Sequence, residues 1–202
     1  YTKYIKIMVN EIILASKSEV RKKILENNKI KCRVEPSNVD EDTVKESLLN
    51  EKATPTIISK NLAELKANKI SQKFINAIVM GADSVIDLEG EIISKPNNRT
   101  EALKILKKLN GKTHQLISSV CISKAGSMIW NYTDKASLTM KNMSLLELET
   151  YLKKISDASL YAYNVYQIEG EGRGLFSKIE GDENTIMGLP VKQIKEYLNR
   201  LE

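Results

Sequence analysis

Residues 114–140 set the tightest limit on the architecture. Two long apolar-rich runs, HQLISSVCIS (114–123) and MIWNYTDKASLTM (128–140), are separated only by Lys124-Ala125-Gly126 and Ser127. That connection is far too short for the crossover that parallel neighbours need. The two runs are therefore predicted to form an antiparallel pair. Ile12-Ile13-Leu14 reads as a buried strand that runs straight into a helix. Ser18 is its predicted N-cap and Asn27-Asn28 its end, with Glu19 at the positive end of the dipole and Val20, Ile24 and Leu25 on one face. KCRVEPSNVDED (31–42) reads as a short strand and a turn. A second helix opens at Thr54-Pro55, with Ile58, Leu62 and Leu65 as its apolar stripe. INAIVMGAD reads as a strand stopping in Gly81-Ala82-Asp83, followed by a hairpin turning at Leu88-Glu89-Gly90. Thr100 is the predicted cap of a third helix and Gly111 the glycine past its end. Ser144 and Glu147 spell a capping box for a helix through Ile155. A strand region is predicted from Tyr161 to Ile179, and GLPVKQIKEYLNRL closes the chain as a helix. Strands and helices mix without regular βαβ alternation. The prediction is an α/β protein with a mixed sheet flanked by helices.

The chain has 202 residues, enough for one domain with a real core or for two small lobes. Its 31 Lys and Arg exceed 26 Asp and Glu, but the excess is lysine spread along helices with no basic block. That argues against a nucleic-acid partner and leaves a mild positive field suited to small anionic substrates. Cys32 and Cys121 form no CxxC pair, so no zinc or redox motif is expected. No apolar run is long enough to span a membrane. YTKYIKIMVN (1–10) is too short and polar for a signal-peptide core. The expectation is a cytoplasmic protein without membrane contact.

Several residues could carry chemistry. Ser16, Lys17 and Ser18 surround a helix start, where free N–H groups and hydroxyls make a ready anion site. Asp83, next to a strand end, could hold a divalent cation or accept a proton from water; it could equally be a turn aspartate bonding its own backbone. Asp40-Glu41-Asp42 offers a second carboxylate source or an exposed acidic loop that caps the next helix. Lys95, held extended by Pro96, could reach a phosphate as a point charge. EGEGRG (169–174) does not match a dinucleotide fingerprint, and its glycines read as a bulge or a close backbone approach. No Walker A sequence is present. His114 has no Ser or Cys partner, which excludes a triad. Tyr132, Tyr161, Tyr163 and Tyr166 read as sheet packing.

The order of these motifs resembles the Maf family of nucleoside triphosphate pyrophosphatases, from Leu14 to Leu198. Leu14-Ala15-Ser16-Lys17-Ser18-Glu19-Val20-Arg21 is similar to the family's Leu-Ala-Ser-x-Ser-Pro-Arg-Arg, without its proline and first arginine. Asp40-Glu41, Leu62-Ala63-Glu64-Leu65-Lys66-Ala67, Gly81-Ala82-Asp83-Ser84 and Ser94-Lys95-Pro96 resemble the family's Asp-Glu, Leu-Ala-x-x-Lys-Ala, Gly-Ala-Asp-Thr and Gly-Lys-Pro. The resemblance implies a single domain over 1–202 with an elongated, twisted mixed sheet and two lobes around a central cleft. It also implies a homodimer, a divalent cation (Mg²⁺ or Mn²⁺) and hydrolysis of a nucleoside triphosphate to a monophosphate and pyrophosphate. Asp83 would then activate water and, with Glu41, hold the metal. Ser16, Ser18 and Arg21 would bind the phosphates, and Lys66 and Lys95 would neutralise charge shifting to pyrophosphate. Family branches differ at the positions of Val20, Ser84 and Glu169. Glu169 leans toward the guanine side and the 7-methyl-GTP branch, because a carboxylate accepts from the N–H edge of guanine; Val20 fits neither branch, and a pyrophosphatase of broader nucleoside triphosphate range is the other reading. The alternative is a catalytically weak nucleotide-binding module with a regulatory role.

Overall fold

A computed structural model describes residues 11–201; the polar segment 1–10 lies outside the described residues. Seven strands form one sheet. They are β1 (Ile12–Leu14), β2 (Cys32–Val34), β3 (Val79–Leu88), β4 (Glu91–Ile93), β5 (Thr113–Lys124), β6 (Ser127–Met140) and β7 (Phe176–Glu180). The spatial order is β2-β1-β3-β5-β6-β7, with β4 also on β3. β1 pairs in parallel with β2 and β3, and every other pairing is antiparallel. The sheet is therefore mixed, as predicted. Around it lie α1 (Glu19–Asn27), α2 (Glu41–Asn50), α3 (Pro55–Ser71), α4 (Arg99–Leu109), α5 (Leu145–Lys153), α6 (Asp157–Tyr163), α7 (Glu183–Met187) and α8 (Val191–Leu201). Among the described residues no helix is long and apolar enough to cross a membrane.

The predicted stop at Gly81-Ala82-Asp83 is not one. β3 continues through it because β5 pairs with β3 without a break from Val79 to Asp87. The other edge of β3 forks. Val79 and Met80 pair with β1, Ile86 to Leu88 pair with β4, and residues 81–85 have no strand beside them. This gap in the sheet is where the cleft opens. The hairpin turn falls at Glu89 (φ 53°) and Gly90 (φ 90°), the double positive φ of a type I′ connection.

Two cores sit at opposite ends of the long strands. One gathers Ile86, Leu116 and Leu138 with α4, α5 and α6; the other gathers Met80, Val120 and Ile122 with α1 and α8. Between them a polar belt crosses the sheet, since Asp83 pairs with Ser119, Ser84 with Ser118, Ser118 with Asp134 and Ser119 with Thr133. Strand alternation sends successive belt residues to opposite faces. Asp83 falls on the face of α3 and Ser84 on that of α1.

Other boundaries differ from the sequence reading. Asn98, not Thr100, caps α4 by accepting from the Glu101 amide. Most of the predicted strand region from Tyr161 to Ile179 is not strand. Ser156 caps a helix there instead, a 3₁₀ turn covers Glu171–Leu175, and only Phe176–Glu180 is strand. Tyr161 and Tyr163 thus lie in α6, and Tyr166 is buried in a core. Within EGEGRG, Gly172 is a close approach outside any strand, since a Cβ there would sit 2.5 Å from the Gln167 carbonyl oxygen. Leu65 is 42 % exposed; the buried stripe of α3 runs through Ile58, Leu62, Lys66 and Ile70. The helices α2 and α7 were not foreseen. Ser18 as cap of α1 and the Ser144–Glu147 capping box agree with the reading.

α3 lies directly against β3 at Gly81. A Cβ on Gly81 would stand 2.2 Å from the Ala63 carbonyl oxygen and 2.6 Å from the Ala67 amide nitrogen. Both are backbone atoms, so the helix itself would have to move. Gly81→Ala is expected to destabilise the fold by about 3 kcal/mol, read as a lower urea midpoint at unchanged slope.

Candidate active site

The cleft at the sheet gap has a volume of about 430 Å³, within the roughly 300–1,000 Å³ of small-molecule sites. It brings together Ser16, Ser18, Val20, Arg21, Glu41, Lys66, Asp83, Ser84, Lys95 and Glu169, so every residue to which the family resemblance gives a role lines one space. Their separation along the chain is closed by the fork in β3, the β1–α1 turn beside it and α3 beneath it.

Asp83 and Lys66 are each only 5 % exposed. The Lys66 ammonium donates to Asp83 Oδ1 at 3.0 Å, to Glu41 Oε1 at 2.9 Å and to the Ala82 carbonyl at 3.3 Å. All three of its hydrogens are used. Ser59 also donates from α3, to the Asp83 carbonyl at 3.2 Å. Lys66 thus meets the Ala82 carbonyl on the edge of β3 that no strand covers. Asp83 Oδ2 is buried and has no hydrogen-bond partner. Burial raises the Asp83 pKa; Lys66 and Arg21 oppose this without reversing it. Burial also pushes the Glu41 pKa upward, but Lys66, aided by Lys45 and Lys95, brings it below the ordinary value. The two carboxylates on one ammonium are therefore set apart in basicity, with Asp83 the stronger proton acceptor.

Facing them is the start of α1. Ser18 Oγ accepts from the Arg21 amide at 3.3 Å, and Ser16 Oγ accepts from the Ser18 amide at 3.2 Å and from Arg21 Nη1 at 3.3 Å. Accepting leaves the hydroxyl protons of both serines available to an anion. The Arg21 guanidinium donates Nε–H to the Gly188 carbonyl at 3.0 Å and Nη2–H to Ser84 Oγ at 3.0 Å. Two of its five N–H groups stay uncommitted. Its pKa is lowered by burial, against the pull of Asp83 and Glu41. Lys95 stands at the solvent side, its pKa lowered by desolvation and by Arg21. Glu169 is exposed at the far rim, where Gln167 Nε2 donates to its Oε1 at 3.1 Å.

The acidic cluster 40–42 divides its roles. Asp40 caps α2 through Oδ1 and Glu41 alone reaches the site. Lys45, one turn along α2 from Glu41, lines the cleft and was missed, although the i, i+4 spacing from Glu41 was there to read. His114 lies in the core, its Nε2 paired with the Tyr166 hydroxyl at 2.8 Å, and burial pushes its pKa down to about 4. It stays neutral at physiological pH. Among the described residues no three His, Cys, Asp or Glu side chains converge as a metal site. The donor set is instead two carboxylates, each keeping one oxygen off the lysine.

A family model described as Maf-like protein matches residues 11–201. The chain is 85 % identical to a nucleoside triphosphate pyrophosphatase of Pelagibacter ubique, covering 95 % of this chain and 98 % of that protein. It is 38 % identical to a protein of the same description from a Ruegeria species, covering 95 % and 96 %. It is 36 % identical to a 7-methyl-GTP pyrophosphatase of Brucella abortus, covering 96 % and 97 %.

Proposed function

The chain belongs to the Maf-like protein family, and from that premise we propose that its cleft hydrolyses a nucleoside triphosphate to the monophosphate and pyrophosphate, by attack of water at the α-phosphorus. The observation that carries this reading is the unpaired, buried Oδ2 of Asp83, across the cleft from a helix start with free hydroxyl and guanidinium donors. Asp83 takes the proton from the attacking water through its unpaired Oδ2. Ser16, Ser18, the first amides of α1 and the two free Arg21 N–H groups receive phosphate oxygens. Lys95, exposed at the mouth of the cleft, adds a positive charge on the side where pyrophosphate departs. Lys66 differs from the expectation: its donors are saturated by protein, so it holds Asp83 and Glu41 in register and offers phosphate only its charge.

The donor set suits Mg²⁺ or Mn²⁺, which take one or two carboxylates and complete their shell with water and substrate phosphate. Asp83 Oδ2 and the free oxygen of Glu41 would hold the ion. When bound it supplies Lewis acidity at the phosphate and a more acidic water.

The apolar end of the same cleft, with Ile93, Leu116, Tyr163 and Ile168, takes the base. Glu169 keeps one oxygen free of Gln167 and can accept from the N–H edge of a guanine-type base. A relative described as a 7-methyl-GTP pyrophosphatase supports that choice. The test is pyrophosphate release from UTP, dTTP, CTP, GTP and 7-methyl-GTP, with Mg²⁺ or Mn²⁺ and with chelator. Release from a guanine-type nucleotide that chelator abolishes is the expected result. Nucleotide binding with no turnover on any of the five would replace the proposal with an idle binding module.

A further inference from the structure

A line of hydroxyls runs from the cleft across the strands to α7 on the same face of the sheet. Ser118 Oγ donates to the Thr185 carbonyl at 2.7 Å and stands 2.8 Å from Ser84 Oγ. Ser118 has a single hydroxyl proton, and the carbonyl, which can only accept, takes it. Ser118 must therefore accept from Ser84. That uses the one proton of Ser84, so Ser84 Oγ presents lone pairs to Arg21 Nη2 at 3.0 Å. The direction of every proton in the line is fixed from its far end. Thr185 is itself tied down, its hydroxyl donating to Asp134 Oδ2 at 2.7 Å. Ser118 and Thr185 are fully buried, so no water competes for these bonds.

The other fixed points of the guanidinium are Ser16 Oγ, 3.3 Å from Nη1, and the carbonyl of Gly188, the residue that caps α7 three past Thr185. There Gly188 has φ 123°, and a Cβ would come 3.1 Å from Arg21 Nε. Two carbonyls at the end of α7 thus hold Arg21, one directly and one through Ser118 and Ser84. We infer that Ser118 is a positioning residue for Arg21: it orients the Ser84 hydroxyl as an acceptor and so aims the two free guanidinium N–H groups at the phosphate chain. This gives Ser84 the task of steering the arginine. It rests on the reading that the cleft receives a triphosphate.

Without Ser118, the Ser84 hydroxyl loses its acceptor and is free to turn its proton elsewhere. The guanidinium then keeps its Nε anchor on Gly188 and the longer Nη1 contact with Ser16, and loses the one that fixes Nη2. The test uses the unliganded protein and inorganic tripolyphosphate, so it does not depend on turnover. In wild type the Arg21 Nε–H signal in ¹⁵N NMR, assigned by its loss in Arg21→Lys, is expected sharp and slow to exchange. In Ser118→Ala and in Ser84→Ala it should broaden. Tripolyphosphate binding by calorimetry should weaken about tenfold in each single variant, as for one lost charge-assisted contact. The double variant should be no worse than either single one, because both cut the same line. An unchanged Arg21 signal, or losses that add in the double variant, would overturn the inference. Should Ser118→Ala not fold, Ser118→Cys takes its place, a near-isosteric side chain that is a weak donor and a weak acceptor. A wild type that releases no pyrophosphate from any nucleotide would remove the proposed function and leave the Arg21 signal to judge this one.

Discussion

Asp83→Asn is expected to lower the rate of pyrophosphate release by at least about 10³-fold while the protein remains folded. The amide matches the carboxylate in shape. Its oxygen can still accept from Lys66, and the Lys66 bonds to Glu41 and to the Ala82 carbonyl are untouched. The atom that changes character is Oδ2, which makes no bond inside the protein. What disappears is the basic lone pair and one of the two carboxylates available to a cation. Stability should move the other way. Burial raises the Asp83 pKa, so the folded state binds a proton that the unfolded chain releases at lower pH. That contribution is complete below the unfolded value near 3.9 and is lost as pH rises through the raised folded value. Above that window wild type carries the penalty of a buried ionised group and Asp83→Asn does not. Its urea midpoint at pH 8 should equal or exceed that of wild type. Normal turnover in Asp83→Asn would remove Asp83 from the chemistry altogether.

How much of this could be read in advance differs from residue to residue. The β1–α1 turn was legible because its causes are local: an apolar run, a serine cap and an acidic first turn within a few residues. Gly81-Ala82-Asp83 was misread as a strand end ahead of Ser84. In isolation these residue types mean turn chemistry; here they are a close contact with α3 and two members of the polar belt, both set by partners distant in sequence. Lys66 carried a signal that the stripe through Leu65 obscured. It falls four residues from Leu62 and four from Ile70, a charge on the buried face of a helix, and such a charge needs a buried partner. Ser118 and Thr185 carried none, because a serine in a strand looks the same whether it faces a carbonyl or merely packs. The motif order pointed to the family; that the motifs meet at a gap in the sheet came only from the pairing of β3 with both β1 and β4.

Lys66→Met should destabilise the protein by about 3–5 kcal/mol at pH 8, with the loss shrinking toward acid. Methionine fills much of the same volume on the α3 stripe, so packing is largely kept and the effect is electrostatic. Lys66 is the shared partner of Asp83 Oδ1 and Glu41 Oε1, and it is a main influence holding both pKa values down. Its removal leaves two carboxylates repelling each other, one of them buried with neither oxygen paired to a cation. Both folded-state pKa values then rise. The folded variant keeps protons that the unfolded chain has released, and stability falls as pH increases from about 4. In wild type the lowered Glu41 pKa works oppositely, adding stability above its unfolded value that is lost as pH falls through the folded one. The two proteins should therefore diverge steadily between pH 4 and pH 8 in urea midpoint. Toward acid the raised Asp83 pKa lets that carboxyl protonate first, the pairing with Lys66 weakens, and the gap should shrink. A loss of equal size at pH 4 and pH 8 would show that Lys66 acts by packing, and that the triad of charges has no part in holding the cleft together.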